Sequence, residues 1–180
     1  MKITKRKSAK YPIEVTLTDG TKIIIPRQSQ FDNEWLRKHG CSLMAEYIAL
    51  QWLGVKTIPV NGKKRKPYPI NLLRWHKKHT PDDIAAKVML TGVAKGIARL
   101  SDGDGKYSKG TTLERMRTAL DKGHIVIYER KDPIHTVTLI PDDGKVWLAN
   151  HGTVKETTTA KEIKKALKKT KYRGMIEVSR

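Results

Sequence analysis

One stretch decides how this chain folds, the fifteen residues GCSLMAEYIALQWLG at positions 40–54. Its apolar residues recur at the three- and four-residue spacing of a helix face, so they predict a helix over residues 42–53. Leucines on both sides widen that face, which is typical of a helix buried at the centre of a molecule. Gly54 stands where the helix should end, because glycine readily adopts the left-handed conformation of a C-terminal cap.

Cys41 opens this helix and is the only cysteine in the chain. A thiol at a helix N-terminus feels unpaired backbone N–H groups and the positive end of the helix dipole. Both favour the thiolate, which is the nucleophilic form, so Cys41 is the candidate catalytic residue. The alternative is a cysteine that packs as a small hydrophobic side chain. A single cysteine forms no internal disulfide, which excludes a disulfide-stabilised scaffold.

The other patterns predict an α+β fold, with helices first and an antiparallel sheet after them. A β-hairpin over residues 11–25 begins the chain, because apolar and polar residues alternate around the turn signal Asp19-Gly20. Residues 56–69 are predicted as a loop, and residues 92–110 as an irregular glycine-rich segment. Further helices are predicted over 70–78, from Thr80 to about Leu90, and over 160–169. Another predicted helix starts with a capping box from Thr111 to Glu114 and ends at Gly123. Predicted strands cover 125–128, 135–140, 145–150, 153–158 and 175–178.

The length of 180 residues predicts a single domain over 1–180, with 38% hydrophobic residues to build its core. We divide it into an N-terminal basic arm and hairpin (1–27), a core (28–152) and a basic C-terminal extension (153–180). No stretch is apolar for long enough to cross a membrane. The basic N-terminus lacks the apolar segment of a signal peptide. We therefore expect either a cytoplasmic protein or a mature or truncated form of a secreted one.

The net charge of +19 is concentrated in three segments. Residues 1–10 carry +5, residues 62–78 carry +7 and residues 161–180 carry +6, so the rest of the chain is almost neutral. Such segments are typical of attachment to a polyanion or of a solubilising face. We expect an anionic polymer as partner, either teichoic acid, nucleic acid or anionic lipid. The candidate contacts are Lys63, Lys64, Arg65 and Lys66.

His135 and Asn150 are the candidate partners of Cys41, because a thiol nucleophile needs a base and the base needs an orienting group. If Ile140 pairs with Lys145, the hairpin places His135 directly opposite Asn150, a separation that suits a hydrogen bond. A two-residue turn at Asp143-Gly144 would instead place Gly152 opposite His135.

The other histidines have weaker claims. His124 is interpreted as structural, His39 as lying on an exposed loop, and His76 and His79 as solvated. We expect no metal and no cofactor, since no histidine has metal-ligand spacing to a second ligand. The run Asp102-Gly103-Asp104-Gly105 lacks the distal glutamate of a calcium loop.

Four motifs in order resemble the C39-like peptidase domains of bacteria, which belong to the papain-like superfamily of cysteine hydrolases. The resemblance covers residues 28–152 and departs at Ser42-Leu43, where many members have Gly-Pro, and at Asn150-His151, where many have Asp-Pro. The four motifs are Gln30-Phe31-Asp32-Asn33-Glu34-Trp35, Gly40-Cys41-Ser42-Leu43-Met44-Ala45, the helix-glycine-strand run 119–127, and His135 to Leu139 with Asn150.

The resemblance implies a papain-like fold and amide-bond cleavage through a thioester, without a cofactor. Cys41 would be the nucleophile, His135 the base and Asn150 the orienting residue. Gln30 would donate to the oxyanion, with Gln28 as the alternative two residues earlier. The substrate would be a peptide or the peptide part of peptidoglycan, the latter making the protein a cell-wall hydrolase. Two alternatives stay open, a non-enzymatic nucleic-acid-binding protein and a pseudoenzyme that binds peptides.

Overall fold

The computed structural model describes residues 12–85, 89–131, 134–150, 153–157 and 172–180. Helices dominate the first half of these ranges and strands the second half. The helices are α1 (Glu34–His39), α2 (Cys41–Trp52), α3 (Pro69–His79), α4 (Pro81–Ala85), α5 (Met89–Leu100) and α6 (Leu113–Asp121). The strands are β1 (Ile13–Thr16), β2 (Lys22–Ile25), β3 (Ile58–Val60), β4 (Lys63–Arg65), β5 (Asp104–Lys109), β6 (Ile125–Lys131), β7 (Ile134–Asp142), β8 (Lys145–Asn150), β9 (Thr153–Thr157) and β10 (Tyr172–Ser179).

Within the described residues, a six-stranded sheet in the order β5-β10-β6-β7-β8-β9 forms the centre of the fold, and all its neighbouring strands are antiparallel. The pairs β1-β2 and β3-β4 form two separate hairpins. The predicted α+β class with an N-terminal β-hairpin is therefore confirmed. Strand β10 lies between β5 and β6, so Tyr172–Ser179 belongs to the sheet rather than to an extension. The helix predicted over 160–169 lies outside the described residues.

The sheet separates two apolar clusters, because successive side chains of a strand point to opposite faces. Helix α2 packs against β7 on one face, where Ile140 and Trp147 join the larger cluster. Helix α6 packs against β6 and β7 on the other face, where Met116 meets Val137 and Leu139. Helix α2 is buried along most of its length, as its sequence predicts. Each side of the sheet therefore has its own core.

The irregular segment predicted over 92–110 is wrong. Helix α5 runs through Gly92 and Gly96 to Leu100, and strand β5 follows it. Glycine lowers helix propensity, but packing overrides that penalty here. A Cβ atom at Gly96 would lie 2.1 Å from Glu46 Oε1, so only glycine lets α5 approach α2 this closely. The helix predicted from Thr80 is described only as α4, over Pro81–Ala85.

The loop predicted over 56–69 is also wrong, because it contains the β3–β4 hairpin and the first residue of α3. Asn61 and Gly62 form its turn with φ values of 50° and 75°, the left-handed conformations that a two-residue hairpin turn requires. Asn-Gly is the sequence signal that would have predicted this hairpin. The capping of α6 differs by one residue, since the side chain of Thr112 rather than Thr111 accepts from the backbone N–H of Arg115, at 3.2 Å.

Asp142 connects the N-terminal hairpin to the central sheet. One carboxylate oxygen accepts from the Thr18 backbone N–H at 2.7 Å, and the other accepts from Trp147 Nε1 at 2.9 Å. Burial raises the pKa of Asp142, but the hydrogen bonds from Trp147 and Thr18 outweigh it and leave the pKa below its ordinary value of 3.8. The ionised carboxylate is therefore the form that stabilises the fold.

We expect Asp142→Ala to lower the free energy of unfolding by about 2 kcal/mol at neutral pH, because it leaves the buried Trp147 N–H without its acceptor. A carboxyl with a lowered pKa stabilises fully above its unfolded-state pKa, and that contribution is lost as the pH falls through the folded-state pKa. The difference between the two proteins should therefore shrink below about pH 4. Urea unfolding at several pH values measures this, and a difference independent of pH would contradict it.

Candidate functional site

Cys41 is the first residue of α2 and is half-buried. The chain turns sharply before it, where the Gly40 N–H donates to the Leu36 carbonyl at 2.9 Å and ends α1. A Cβ atom at Gly40 would lie 2.5 Å from that carbonyl oxygen, so the turn requires glycine. The sequence therefore fixes the thiol at a helix N-terminus, as predicted.

The sulfur of Cys41 lies against two hydroxyl groups. Thr136 Oγ1 donates to it at 3.6 Å, and Ser42 Oγ lies 4.0 Å away. The two hydroxyls also bond to each other at 3.0 Å, and both residues are buried. Thr136 is on β7, so this small polar cluster joins the start of α2 to the central sheet. Sequence patterns did not single out Thr136, because its contact with the sulfur depends on tertiary packing alone.

Glu129 extends this polar cluster. It pairs directly with Thr136 across β6 and β7, so both side chains are on the sheet face that α2 covers. Burial raises the pKa of Glu129, and the guanidinium of Arg173 opposes that effect from 3.6 Å. A carboxyl group that binds protons more strongly than usual therefore lies across the strand from the threonine that contacts the thiol.

His135 and Asn150 form the predicted pair, with His135 Nε2 and Asn150 Oδ1 separated by 2.5 Å. The strands β7 and β8 pair in the alternative register, the one with a two-residue turn at Asp143-Gly144. Asp142 pairs with Lys145 around a two-residue turn and Ile140 pairs with Trp147, so the predicted pairing of Ile140 with Lys145 is wrong. In this register the two residues are diagonal rather than opposite neighbours, which long side chains can still bridge. Asp143 and Gly144 both have positive φ, which the tight turn requires.

The structure places His135 next to Thr136 on β7 but not against the sulfur of Cys41. Thr136 faces α2, so strand alternation directs His135 towards the face of Val137 and Leu139. Within the described residues, the hydrogen bonds of the sulfur are those with Thr136 and Ser42. His135 and Asn150 are therefore hydrogen-bonded to each other. The sulfur of Cys41 instead contacts Thr136, the residue that follows His135 on β7.

Gln28 and Gln30 lie in a single turn of 3-10 helix, Gln28–Gln30, before α1. The side-chain amide of Gln28 donates to the carbonyls of Leu36 and Arg37, at 3.1 and 2.9 Å. Gln28 therefore holds the end of α1, just before Cys41. Gln30 is exposed to solvent.

The four candidate polyanion-binding residues are all exposed. Lys63, Lys64 and Arg65 form the whole of β4. Lys66 follows it, with its Nζ 5.9 Å from the ring centroid of Tyr68. The structure thus presents these cations on a regular hairpin rather than on an irregular loop.

The prediction that His76 is solvated is wrong, since its side chain is 0% exposed. His76 Nε2 lies 2.7 Å from Glu46 Oε2, and His76 Nδ1 lies 2.7 Å from Thr80 Oγ1. Burial raises the pKa of Glu46, and His76 opposes this. Glu46 Oε1 has no hydrogen-bond partner among the described residues. This buried cluster locks α2 to α3.

The other three histidines that the structure describes have contacts away from the thiol. His79 is exposed and stacks on Trp75, with ring centroids 4.4 Å apart. His124 Nδ1 lies 2.7 Å from Glu177, which links β10 to the start of β6 and agrees with the structural role expected for it. The prediction that His39 lies on an exposed loop is wrong, because His39 is the partly buried last residue of α1 and packs against Trp35, at 5.8 Å between ring centroids.

In the part of the chain that the structure describes, no group of three or more His, Cys, Asp or Glu side chains could hold a metal ion. Every helix in these ranges is too short or too polar to cross a lipid bilayer. Comparison of the chain with protein-family models, with curated proteins and with solved structures finds no match.

Proposed function

We propose that the protein is a cysteine-type peptidase that cleaves amide bonds, with Cys41 as nucleophile, His135 as base and Asn150 as the residue that orients the base. The hydrogen bond between His135 and Asn150, on the strand that also contacts the thiol, is the observation that carries the proposal. A base held by a third group is the arrangement that activates a nucleophile in cysteine hydrolases. The order of the motifs along the sequence supports the same assignment.

The chemistry follows from the roles of these groups. The Cys41 thiolate attacks the carbonyl carbon of the scissile amide, and the proton that the thiol loses passes to His135. The oxyanion that forms is stabilised by N–H groups at the start of α2 and by the amide of Gln30. Imidazolium donates its proton to the departing amine and leaves a thioester, which water then hydrolyses. No cofactor takes part.

His135 lies near the start of β7 and is directed to the sheet face opposite the thiol, so the proposal requires its side chain to turn towards Cys41 when the substrate binds. The Thr136 hydroxyl holds the sulfur until then. The substrate of this reaction is a peptide or the peptide part of peptidoglycan, the second of which would make the protein a cell-wall hydrolase.

Gln30→Ala should lower kcat by about 10²–10³-fold, the usual loss for one oxyanion donor, with little change in KM. Gln28→Ala is the matched control, because its amide is already bonded to the carbonyls that end α1. We expect Gln28→Ala to reduce stability and to leave most of kcat intact. Steady-state kinetics on one peptide substrate measures both, and the reverse pattern would move the oxyanion role to Gln28.

A second candidate function is attachment to an anionic polymer through the basic segments. The exposed β4 strand favours it, since it presents three consecutive cations to solvent, with Lys63 and Arg65 on one face of the hairpin and Lys64 on the other. Teichoic acid, nucleic acid and anionic lipid all supply such charge. Attachment is compatible with hydrolysis, because β4 and the thiol are on different elements.

A further inference from the structure

The chain has no acidic residue from position 47 to position 81. The structure divides this span mainly between the β3–β4 hairpin and α3. Seven exposed cations lie on these two elements and on the link between them, and none has an ion pair with a carboxylate among the described residues. We call them the hairpin–helix surface, which consists of Lys63, Lys64, Arg65, Lys66, Arg74, Lys77 and Lys78.

Asn71 makes the two halves of this surface continuous. Its amide nitrogen donates to the Lys66 carbonyl at 2.9 Å, and its amide oxygen accepts from Arg74 Nη1 at 3.4 Å. The Asn71 side chain thus places Arg74, the first cation of α3, beside Lys66 at the end of the hairpin. Lys77 and Lys78 follow Arg74 at the three- and four-residue spacing of one helix face.

The surface is also rigid. Ile58 and Val60 of β3 are buried in the larger core cluster, which anchors the hairpin, and α3 packs against β3. The Asn61-Gly62 turn is tight. Because the backbone that carries the cations is already fixed, binding of a charged ligand orders only their side chains.

Tyr68 lies at the junction of hairpin and helix and is 42% exposed. Its ring packs on Tyr47, with centroids 5.8 Å apart and planes inclined by 59°. Burial is the main reason that the pKa of Tyr47 rises to about 12, so Tyr47 stays a neutral support. Part of an aromatic ring is therefore presented to solvent at this junction, with Lys66 Nζ 5.9 Å from its centroid.

This composition distinguishes between the possible polyanions. A lipid surface is bound by exposed aliphatic or aromatic side chains that enter the membrane beside the cations. Among the described residues, the only exposed large hydrophobic side chains are Tyr68 and Tyr107. Teichoic acid offers phosphate but no aromatic face. Single-stranded nucleic acid offers both a line of phosphates and bases that stack on aromatic rings.

We propose that the hairpin–helix surface binds single-stranded nucleic acid, with phosphates along the seven cations and a base stacked on Tyr68. This inference rests on the polymer-attachment function proposed above and is independent of the peptidase activity. It narrows that function to one class of polymer and adds α3 and Tyr68 to the binding residues.

Fluorescence anisotropy of the whole chain with a labelled oligothymidylate, titrated with salt, tests the charged contacts. The triple variant Lys64→Gln, Arg74→Gln, Lys77→Gln removes cations from both elements. It should reduce the slope of log affinity against log salt by about 2, at about 0.7 for each lost single-strand phosphate contact. The matched control is Arg115→Gln, Arg117→Gln, Lys122→Gln, which removes the same charge from the end of the molecule near α6. An equal reduction of this slope in both triple variants would contradict binding at the hairpin–helix surface.

Tyr68→Leu tests the stacked base and keeps an apolar side chain against Tyr47. We expect affinity for oligothymidylate to fall about tenfold and affinity for inorganic polyphosphate to stay the same. Binding of both polymers with no effect of Tyr68→Leu would overturn the nucleic-acid assignment and leave polymer attachment intact. Binding of neither polymer at low salt would overturn attachment itself. Preference for phosphatidylserine vesicles over oligothymidylate would assign the surface to a membrane instead.

Discussion

Gly96→Ala is expected to destabilise the protein by about 3 kcal/mol, because the new methyl group overlaps a buried polar cluster. Its Cβ atom would lie 2.1 Å from Glu46 Oε1 and 3.0 Å from His76 Cε1. Neither side chain can move easily, since both are 0% exposed and they are hydrogen-bonded to each other. Alanine gains up to about 1 kcal/mol over glycine in helix propensity, which offsets only part of the cost. Urea unfolding followed by circular dichroism measures the difference.

Gly92→Ala, in the same helix, is the matched control. Its Cβ atom would lie 3.0 Å from the side chain of Asp83, which is partly exposed and can shift, so we expect a loss below about 1 kcal/mol. The cost of Gly96→Ala should also shrink in a Glu46→Ala background, because the atom that it overlaps is then gone. A Gly96→Ala protein as stable as the wild type would show that α2 and α5 are not packed as described.

Cys41→Ala is expected to abolish peptide hydrolysis, with a loss of at least about 10³-fold in kcat, because no other group replaces a covalent nucleophile. His135→Ala should cost about as much, since a nucleophile and its base act as one unit. Asn150→Ala should cost less, because in the proposed mechanism Asn150 only orients His135, to which it is hydrogen-bonded. The fold should survive Cys41→Ala, whose half-buried thiol makes few contacts. Turnover of a quenched-fluorescence peptide library measures all three, and a Cys41→Ala variant with full turnover would contradict the nucleophile assignment.

Local patterns in the sequence predicted much of the fold. The period of α2 and its ending at Gly54 are local signals, and the structure has both. The continuation of α5 through Gly92 and Gly96 was missed, because the reason for glycine at Gly96 lies on another helix, at Glu46. The β3–β4 hairpin was missed for a different reason, since lysines and prolines around Asn61-Gly62 weaken the strand signal on both sides of a strong turn signal.

The candidate site was predictable to a similar degree. The predicted contact between His135 and Asn150 is present, although the strand register from which it was derived is wrong. The hydroxyl groups around the Cys41 sulfur could not be read from the sequence, because Thr136 reaches it only through the packing of α2 on β7. The burial of His76 could not be predicted for the same reason, since the lysines next to it in the helix are exposed and suggest a solvated segment.

Alkylation of Cys41 by iodoacetamide tests the central claim most directly, because it needs no substrate and the chain has a single thiol to label. The measurement is the labelling rate at neutral pH for the wild type, for His135→Gln and for the control His124→Gln, whose imidazole lies against Glu177. If His135 activates Cys41, the wild type and His124→Gln label faster than free glutathione, and His135→Gln labels much more slowly than either. Identical rates for the wild type and His135→Gln would contradict the account.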